Sequence, residues 1–359
     1  MPALPATREP SAFYRDRAIV RWGIIGCGDV TEKKSGPAFQ KAAGSRLVAV
    51  MRRDAGRAAD YARRHGVPRW YADAAQLAAD PEVDAVYVAT PPDAHLDGAL
   101  LAAAAGKPAY VEKPMARHTA ECDRMITAFA TARLPLFVAY YRRALPRFTL
   151  VQELLAQGEI GTVTAVSHAL TEPFHCRDAG WRTEVAIAGG GHFLDLGSHA
   201  LDLIDWLLGP IGEVSGTAAN RASAGAAEDT VAMAFRTASG AVGSALWDFA
   251  AGIRRDSLRL EGTEGAIEFS VFENAPVRIE TAAGVRTIIR DHPPHVQQPM
   301  VQSVVDDLLG HGACVSTGES ARRTSAVMAA ALAGYSGGRG DAFWTRAECW
   351  PGRGRKGNA

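Results

Sequence analysis

Lys113 ends a short apolar run, Pro108-Ala109-Tyr110-Val111, inside the tripeptide Glu112-Lys113-Pro114. An ammonium group presented at a strand end points into a cleft or snorkels to water, and in a cleft it can polarise or orient a substrate oxygen. Further along, Gly190-Gly191-His192-Phe193-Leu194-Asp195-Leu196-Gly197-Ser198-His199 supplies a carboxylate and an imidazole. With Asp202 these fall at i, i+4 and i+7, a polar stripe along one face of an otherwise apolar helix. A neutral imidazole can take an alcohol proton near neutral pH as hydride leaves carbon, while a nearby carboxylate orients the ring or the substrate. Lys113, Asp195 and His199 are therefore the candidate catalytic residues. The same stripe is a poor metal cage, because His192 is off the spacing and no thiol joins it. No metal is expected.

Hydride chemistry needs a carrier, and the chain offers a place for one. The run Trp22 to Ile25 leads into Gly26-Cys27-Gly28-Asp29-Val30-Thr31, where two glycines let the backbone turn sharply and approach a pyrophosphate at the next helix N-terminus. Thr31 replaces the usual third glycine or alanine. At the end of the second strand, where a carboxylate usually receives the adenosine ribose, stand Arg52 and Arg53. Their guanidinium donors suit a 2′-phosphate, so NADP is the expected cofactor, with NAD as the alternative. The competing reading puts one or both arginines on a solvated loop, with Asp54 capping the next helix. The loop Thr90-Pro91-Pro92-Asp93-Ala94-His95 lies on the same sheet edge and is expected to line the cofactor, with Asp93 as a helix cap. His95 taken alone reads as structural. Glu112 and Lys113 complete the expected cofactor set.

Positioning these groups requires an alternating architecture. Six strands are expected at Val20 to Ile25, Arg46 to Met51, near Trp70, Ala85 to Ala89, Pro108 to Val111 and Pro135 to Ala139. The helices between them are Thr31 to Ala43, Ala55 to His65, Ala74 to Ala79, His95 to Ala105 and Thr119 to Ala132. This is a doubly wound α/β dinucleotide domain over residues 19–140, preceded by an extension over 1–18. From 141 to 335 the rhythm changes. After a helix at Arg147 to Gln157 and a strand at Thr162 to Leu170, short strands follow one another from Glu213 to Arg290 without helices, as in an antiparallel sheet. Helices near Val296 to Leu309 and Ser320 to Ala333 close this second α/β domain, and 336–359 form a Gly- and Arg-rich tail.

Composition narrows the function class. The chain has 359 residues, with 39 Lys and Arg against 39 Asp and Glu, and no long basic run, so nothing favours nucleic acid or an anionic membrane. No apolar stretch reaches the roughly 20 residues of a membrane helix, and no signal peptide precedes residue 19, so cytoplasmic residence is expected. Five scattered cysteines, Cys27, Cys122, Cys176, Cys314 and Cys349, form neither a disulfide framework nor a zinc motif. A small-molecule partner is the default.

Taken together, Gly26-Cys27-Gly28, Ala89-Thr90-Pro91, Glu112-Lys113-Pro114 and the glycine-opened helix with Asp195 and His199 resemble the Gfo/Idh/MocA family, typified by glucose-fructose oxidoreductase and inositol dehydrogenase. The likeness runs from about Val20 to Trp350. It implies a Rossmann domain followed by an α/β domain with a large, open-faced, mostly antiparallel sheet, through which homodimers or homotetramers form. It also implies that Lys113 is the family's catalytic lysine, followed by a cis peptide, and that Asp195 and His199 are its substrate-binding and proton-transfer pair. Tyr141, Arg142, Trp181 and Arg182 fall where family members contact substrate. A carbohydrate or polyol would suit that polar set, with Trp181 offering an apolar face. The expected reaction interconverts a secondary alcohol and a ketone, an anhydrosugar or keto-sugar reductase being the first specific reading. A non-catalytic dinucleotide-binding regulator is the competing class; its sign would be loss of the lysine or the histidine, and both are present.

Overall fold

The computed structural model describes residues 8–173, 180–223 and 225–337. Most of the expected tail, together with Cys176 and Cys349, lies outside the described residues. The other three cysteines are buried free thiols.

Six strands, β1 (Val20–Ile25), β2 (Ser45–Met51), β3 (Arg69–Tyr71), β4 (Ala85–Val88), β5 (Ala109–Val111) and β6 (Leu136–Val138), pair in parallel in the order β3-β2-β1-β4-β5-β6. The order reverses beside β1, which opens a crevice at the carboxyl ends of β1 and β4. Buried on both faces, the central strands are apolar except for Arg21 near the start of β1: Val20, Trp22, Ile24 and Ala85 to Val88 have no accessible surface. One expected helix is not continuous. Thr31 to Ala43 forms as Asp29–Lys33 and Gly36–Lys41. Pro37 lacks the N–H a continuing helix needs, and the chain passes so close to its neighbours that a Cβ on Gly36 would lie 2.2 Å from the Thr31 carbonyl oxygen. Asp93 does not cap either, since helix His95–Ala104 starts without a side-chain cap.

The second sheet contains β7 (Val163–Pro173), β8 (Ile211–Ala219), β9 (Thr230–Thr237), β10 (Val242–Ala251), β11 (Arg255–Gly262), β12 (Gly265–Phe269), β13 (Val277–Thr281) and β14 (Gly284–Ile288). Their order is β14-β13-β12-β11-β7-β10-β9-β8, antiparallel except where β7 runs beside β10. Strand alternation sends Val231, Met233, Phe235, Trp247, Phe249, Leu258 and Leu260 into the core. Val242, Ser244 and Leu246 face the other way and are exposed. The apolar core is continuous from Val20 and Trp22 through Phe193 and Trp247 to Ile267 and Ile279, so both sheets stand on one interior.

The chain returns to its beginning. Helix Gln298–Leu309 lies against the first domain, where the Ala43 N–H donates to Gln302 Oε1 at 2.7 Å. Ser316 Oγ donates to the Val138 carbonyl at 2.7 Å, and Thr317 bridges to Phe137 on β6. The described part of the expected extension joins the same seam: Ser11 N–H donates to Asp307 Oδ1 at 2.9 Å and Tyr14 Oη to the Asp84 carbonyl at 2.7 Å.

Candidate active site

The glycine turn gathers three strand ends. Gly26 adopts φ +93°, a conformation that favours glycine, and its Cβ, if present, would lie 2.8 Å from Thr90 Cγ2. The N–H groups of Gly26 and Cys27 both donate to the Met51 carbonyl, at 2.9 and 3.0 Å. The turn is thus tied to the end of β2 and pressed against the end of β4. Gly28 precedes helix Asp29–Lys33 without a side-chain cap, so no side chain blocks the helix N-terminus. Thr31 is fully buried; its hydroxyl donates to the Gly28 carbonyl at 2.7 Å and its own carbonyl accepts from Tyr61 Oη at 2.9 Å. The departure at the third glycine therefore packs two helices together. Burial, partly opposed by the Arg52 charge, pushes the Cys27 thiol up to about 11, leaving it un-ionised.

Arg52 is half-buried beside the turn, its Nη1 3.4 Å from the Cys27 carbonyl oxygen, and Arg53 is exposed. Asp54 accepts the Arg57 N–H at 3.0 Å and caps helix Ala55–His65. The Asp54 cap forms as the competing reading expected, Arg53 sits on the exposed loop, and Arg52 leans over the turn. Thr90 Oγ1 is buried without a partner and Pro91 is exposed at the lip. His95 is a brace behind the lip. Its Nε2 lies 2.8 Å from the Thr90 carbonyl oxygen and its Nδ1 3.0 Å from that of Pro114. The Met115 carbonyl oxygen also lies 3.3 Å from Nδ1; burial lowers the ring's pKa, so it is neutral and donates from one of its two nitrogens.

Glu112 is locked in place rather than free to reach a ligand. It accepts from Tyr87 Oη, from Gln297 Nε2 at 2.7 Å and from the Lys113 N–H at 3.1 Å. The Lys113-Pro114 peptide is cis. From here Lys113 Nζ crosses to the second domain, donating to the Asp195 carbonyl at 2.9 Å and to its Oδ1. Arg182 Nε stands 3.4 Å from Asp195 Oδ2. Burial pushes the Asp195 carboxyl up, but the Lys113 charge and hydrogen bond, followed by Arg182 and His192, more than offset it and hold it below the usual range.

The helix that carries Asp195 departs from the expected stripe. Phe193–Gly197 is a π-helical turn, and the α-helix proper is Ser198–Leu208. The wider turn breaks the i, i+4, i+7 alignment. Asp195 goes to Lys113, and Asp202 turns into the core, where both its oxygens bind Arg143 at 2.7 and 2.6 Å. His199 takes neither carboxylate. It is buried among the rings of Tyr141, Phe272 and Tyr140, at centroid distances of 5.4, 6.0 and 6.1 Å, and its Nδ1 has no hydrogen-bond partner among the described residues. Burial, then the charges of Arg142, Lys113 and Lys34, lower its pKa well below the ordinary histidine value, so the ring is neutral. A neutral ring with an open nitrogen can accept a proton.

Tyr141 and Arg142 belong to the turn Tyr141–Ala144 that follows β6, and both are buried. Trp181 and Arg182 share the turn Gly180–Thr183, with the guanidinium 4.6 Å from the Trp181 ring centroid, Trp181 half-buried and Arg182 exposed. The second-domain residues that sequence reasoning did not find are Phe272, against His199, and Gln297, against Glu112. Neither sits in a motif. Among the described residues no group of three His, Cys, Asp or Glu side chains is placed to hold a metal, and no helix is long and apolar enough to cross a membrane.

Comparison with known proteins gives the family and the fold. The family model for the oxidoreductase family, NAD-binding Rossmann fold, matches residues 20–140, and that for the GFO/IDH/MocA C-terminal domain matches 148–268. Over 314 residues the chain is 34% identical to Oxidoreductase P35 of Formosa agariphila, covering 86% of this chain and 97% of that protein. It is 30% identical over 307 residues to 1,5-anhydro-D-fructose reductase of Ensifer adhaerens, covering 83% and 91%. Among solved structures, levoglucosan dehydrogenase in complex with NADH and levoglucosan superposes with a TM-score of 0.79 at 22% identity, over 87% of this chain and 97% of that one, a likeness of fold.

Proposed function

Because the chain belongs to the Gfo/Idh/MocA family of oxidoreductases, we propose that it interconverts a secondary alcohol and a ketone on a sugar or cyclic polyol, with NADP as its preferred dinucleotide. The domain fits a dinucleotide on its own evidence: a cradle at Gly26 that a Cβ would fill, the uncapped N-terminus after Gly28, and the unpartnered Thr90 Oγ1. Gly26, Cys27, Gly28, Asp29 and Val30 would hold the pyrophosphate, Arg52 and Arg53 the adenosine end, and Thr90, Pro91 and Lys113 the reacting end, with His95 and Glu112 fixing the last three from behind. The bound dinucleotide supplies or takes the hydride. Lys113 Nζ holds the substrate oxygen, Asp195 fixes the lysine and a neighbouring hydroxyl, and His199 takes the proton in oxidation or returns it in reduction. Tyr141, Arg142, Trp181 and Arg182 would enclose the substrate ring.

One observation carries this reading. Lys113, at the carboxyl end of β5 on the edge that holds the glycine turn, is ion-paired across the domain boundary to Asp195. The kinship with a 1,5-anhydro-D-fructose reductase supports the keto-sugar direction. We place a second copy of the chain against the open face of the second sheet.

The test is a fluorescence titration with NADPH and NADH, followed on the same sample by oxidation after adding keto-sugars. NADPH is expected to bind at least about tenfold more tightly, about 1.4 kcal/mol, and Arg52→Glu to erase that margin. Lys113→Ala should keep cofactor binding and lose about 10²–10⁴ in turnover. Unchanged turnover in Lys113→Ala would sink the mechanism, and equal affinities for the two dinucleotides would sink the NADP preference.

A further inference from the structure

Arg142 carries a charge that the protein does not answer. Its Nε donates to the Val271 carbonyl at 3.0 Å, while its Nη1 is buried without an acceptor. No carboxylate lies within ion-pair distance of it among the described residues, whereas the buried Arg143 beside it is bonded to Asp202. The guanidinium rests on the Phe272 ring, 4.5 Å from its centroid, and 5.0 Å from that of Tyr141. Those two rings also flank His199, so the unanswered charge stands beside the proposed base. Aromatic faces offset part of the cost of burying a cation but accept no N–H···O bond.

The surroundings deepen the imbalance. Arg147 is fully buried; among the described residues it is bonded only to the carbonyls of Glu273 and Ala275, and its Nε and Nη2 are unpartnered. The charge of Asp256 reaches Arg147, but that carboxylate is already taken by the N–H groups of Val271, Phe272 and Glu273 at 3.0, 2.7 and 3.1 Å. Asp195, the acid placed in the cleft, is shared by Lys113 and Arg182. Lys34 adds a further positive charge felt at His199. In a chain with equal numbers of acidic and basic residues, two buried guanidiniums with no carboxylate partner among the described residues, beside an acid already shared by two cations, call for an anion from outside.

We infer that the substrate is an acidic sugar, a uronate-type ring whose carboxylate Arg142 binds while a ring CH–OH or C=O faces His199 and Lys113. With Nε occupied, the guanidinium has only its Nη edge left, and a planar, singly charged carboxylate matches that edge. A phosphate dianion would need more donors than this arginine offers. The inference rests on the oxidoreductase reading above and narrows its substrate class.

The experiment uses NADP⁺-saturated protein and matched probes: D-glucuronate and D-galacturonate, the neutral D-glucose and D-galactose, and glucose 6-phosphate. Calorimetric binding and steady-state turnover are measured separately. Binding of at least one uronate ten- to a hundredfold tighter than its neutral partner is expected, with the same order in kcat/KM. Arg142→Gln should collapse that ratio through KM, and Arg142→Lys, which keeps the charge but not the fork, should restore part of it. Thermal unfolding of both variants identifies a folding failure; the wild-type ratio tests the inference independently of either. Neutral sugars bound or turned over as well as uronates would overturn it and leave the oxidoreductase reading standing, as would a preference for the phosphate ester. Arg142-dependent uronate binding with no turnover of any probe would uphold anion recognition and count against catalysis.

Discussion

His199 is kept neutral by its surroundings, and the direction of that effect makes a pH profile decisive. Burial and three nearby cations lower its pKa, so the form able to accept a proton persists below the ordinary value of about 6.5. In alcohol oxidation the acid limb of kcat/KM is therefore expected below pH 6.5. His199→Asn should remove that limb and cost about 10²–10⁴ in rate. A flat profile in both proteins would take His199 out of the role. Linkage has the same sign. The unfolded chain takes up this proton first, so the stability tied to a neutral His199 is complete above about pH 6.5 and is lost as pH falls from there toward the folded value. Lys113, Asp195 and His199 were legible in the sequence because their types sit in compact motifs. Gln297 was not, since it reaches Glu112 across 185 positions of chain, and a motif cannot show a partner that far away.

Elements decide where those groups point. The run Gly189-Gly190-Gly191 reads as a glycine-opened helix, and the structure supplies a reason for its last member. A Cβ on Gly191 would lie 2.0 Å from the Glu228 carbonyl oxygen, and the Gly191 N–H donates to Glu228 Oε1 at 2.9 Å. Gly191→Ala is expected to cost about 1–3 kcal/mol of stability, and to lower kcat by displacing Asp195, with NADPH affinity unchanged. Chemical denaturation and the cofactor titration together check it; wild-type stability in the variant would mean that the close approach is easily relieved. The break between Asp29–Lys33 and Gly36–Lys41 falls at Ser35-Gly36-Pro37, a local signal that the expectation of one helix over Thr31 to Ala43 passed over. The π-helical turn could not. The Phe193 ring lies where a Cβ on Gly197 would come within 2.5 Å and packs 4.8 Å from Trp247 on β10, a contact that exists only after the second sheet has formed. Local spacing thus predicted one polar face where folding produced two, sending Asp202 to Arg143 and leaving Asp195 for Lys113.

At the scale of the whole molecule, the order of the two sheets and their strand content followed from the alternation of apolar runs. The outer face of the second sheet exposes Val242 and Leu246, between strands whose other side is packed. A second copy placed there should bury Leu246, so Leu246→Arg is expected to lower the mass seen by light scattering while cofactor affinity holds. A wild-type protein that is monomeric at micromolar concentration would remove the proposed interface. What composition could not show is how the chain closes on itself. β6 is the last strand of the nucleotide-binding sheet, and its outer edge is covered by Ser316 and Thr317, from the far end of the chain. The residue that steadies Glu112, next to Lys113, also comes from that end. A fragment cut after β6 would carry every glycine of the cofactor turn, yet it would expose a bare strand edge open to pairing with another chain. The dinucleotide domain of this enzyme is thus unsuited to grafting as a free-standing cassette: anyone borrowing its cofactor specificity for another scaffold would have to bring the closing helices with it.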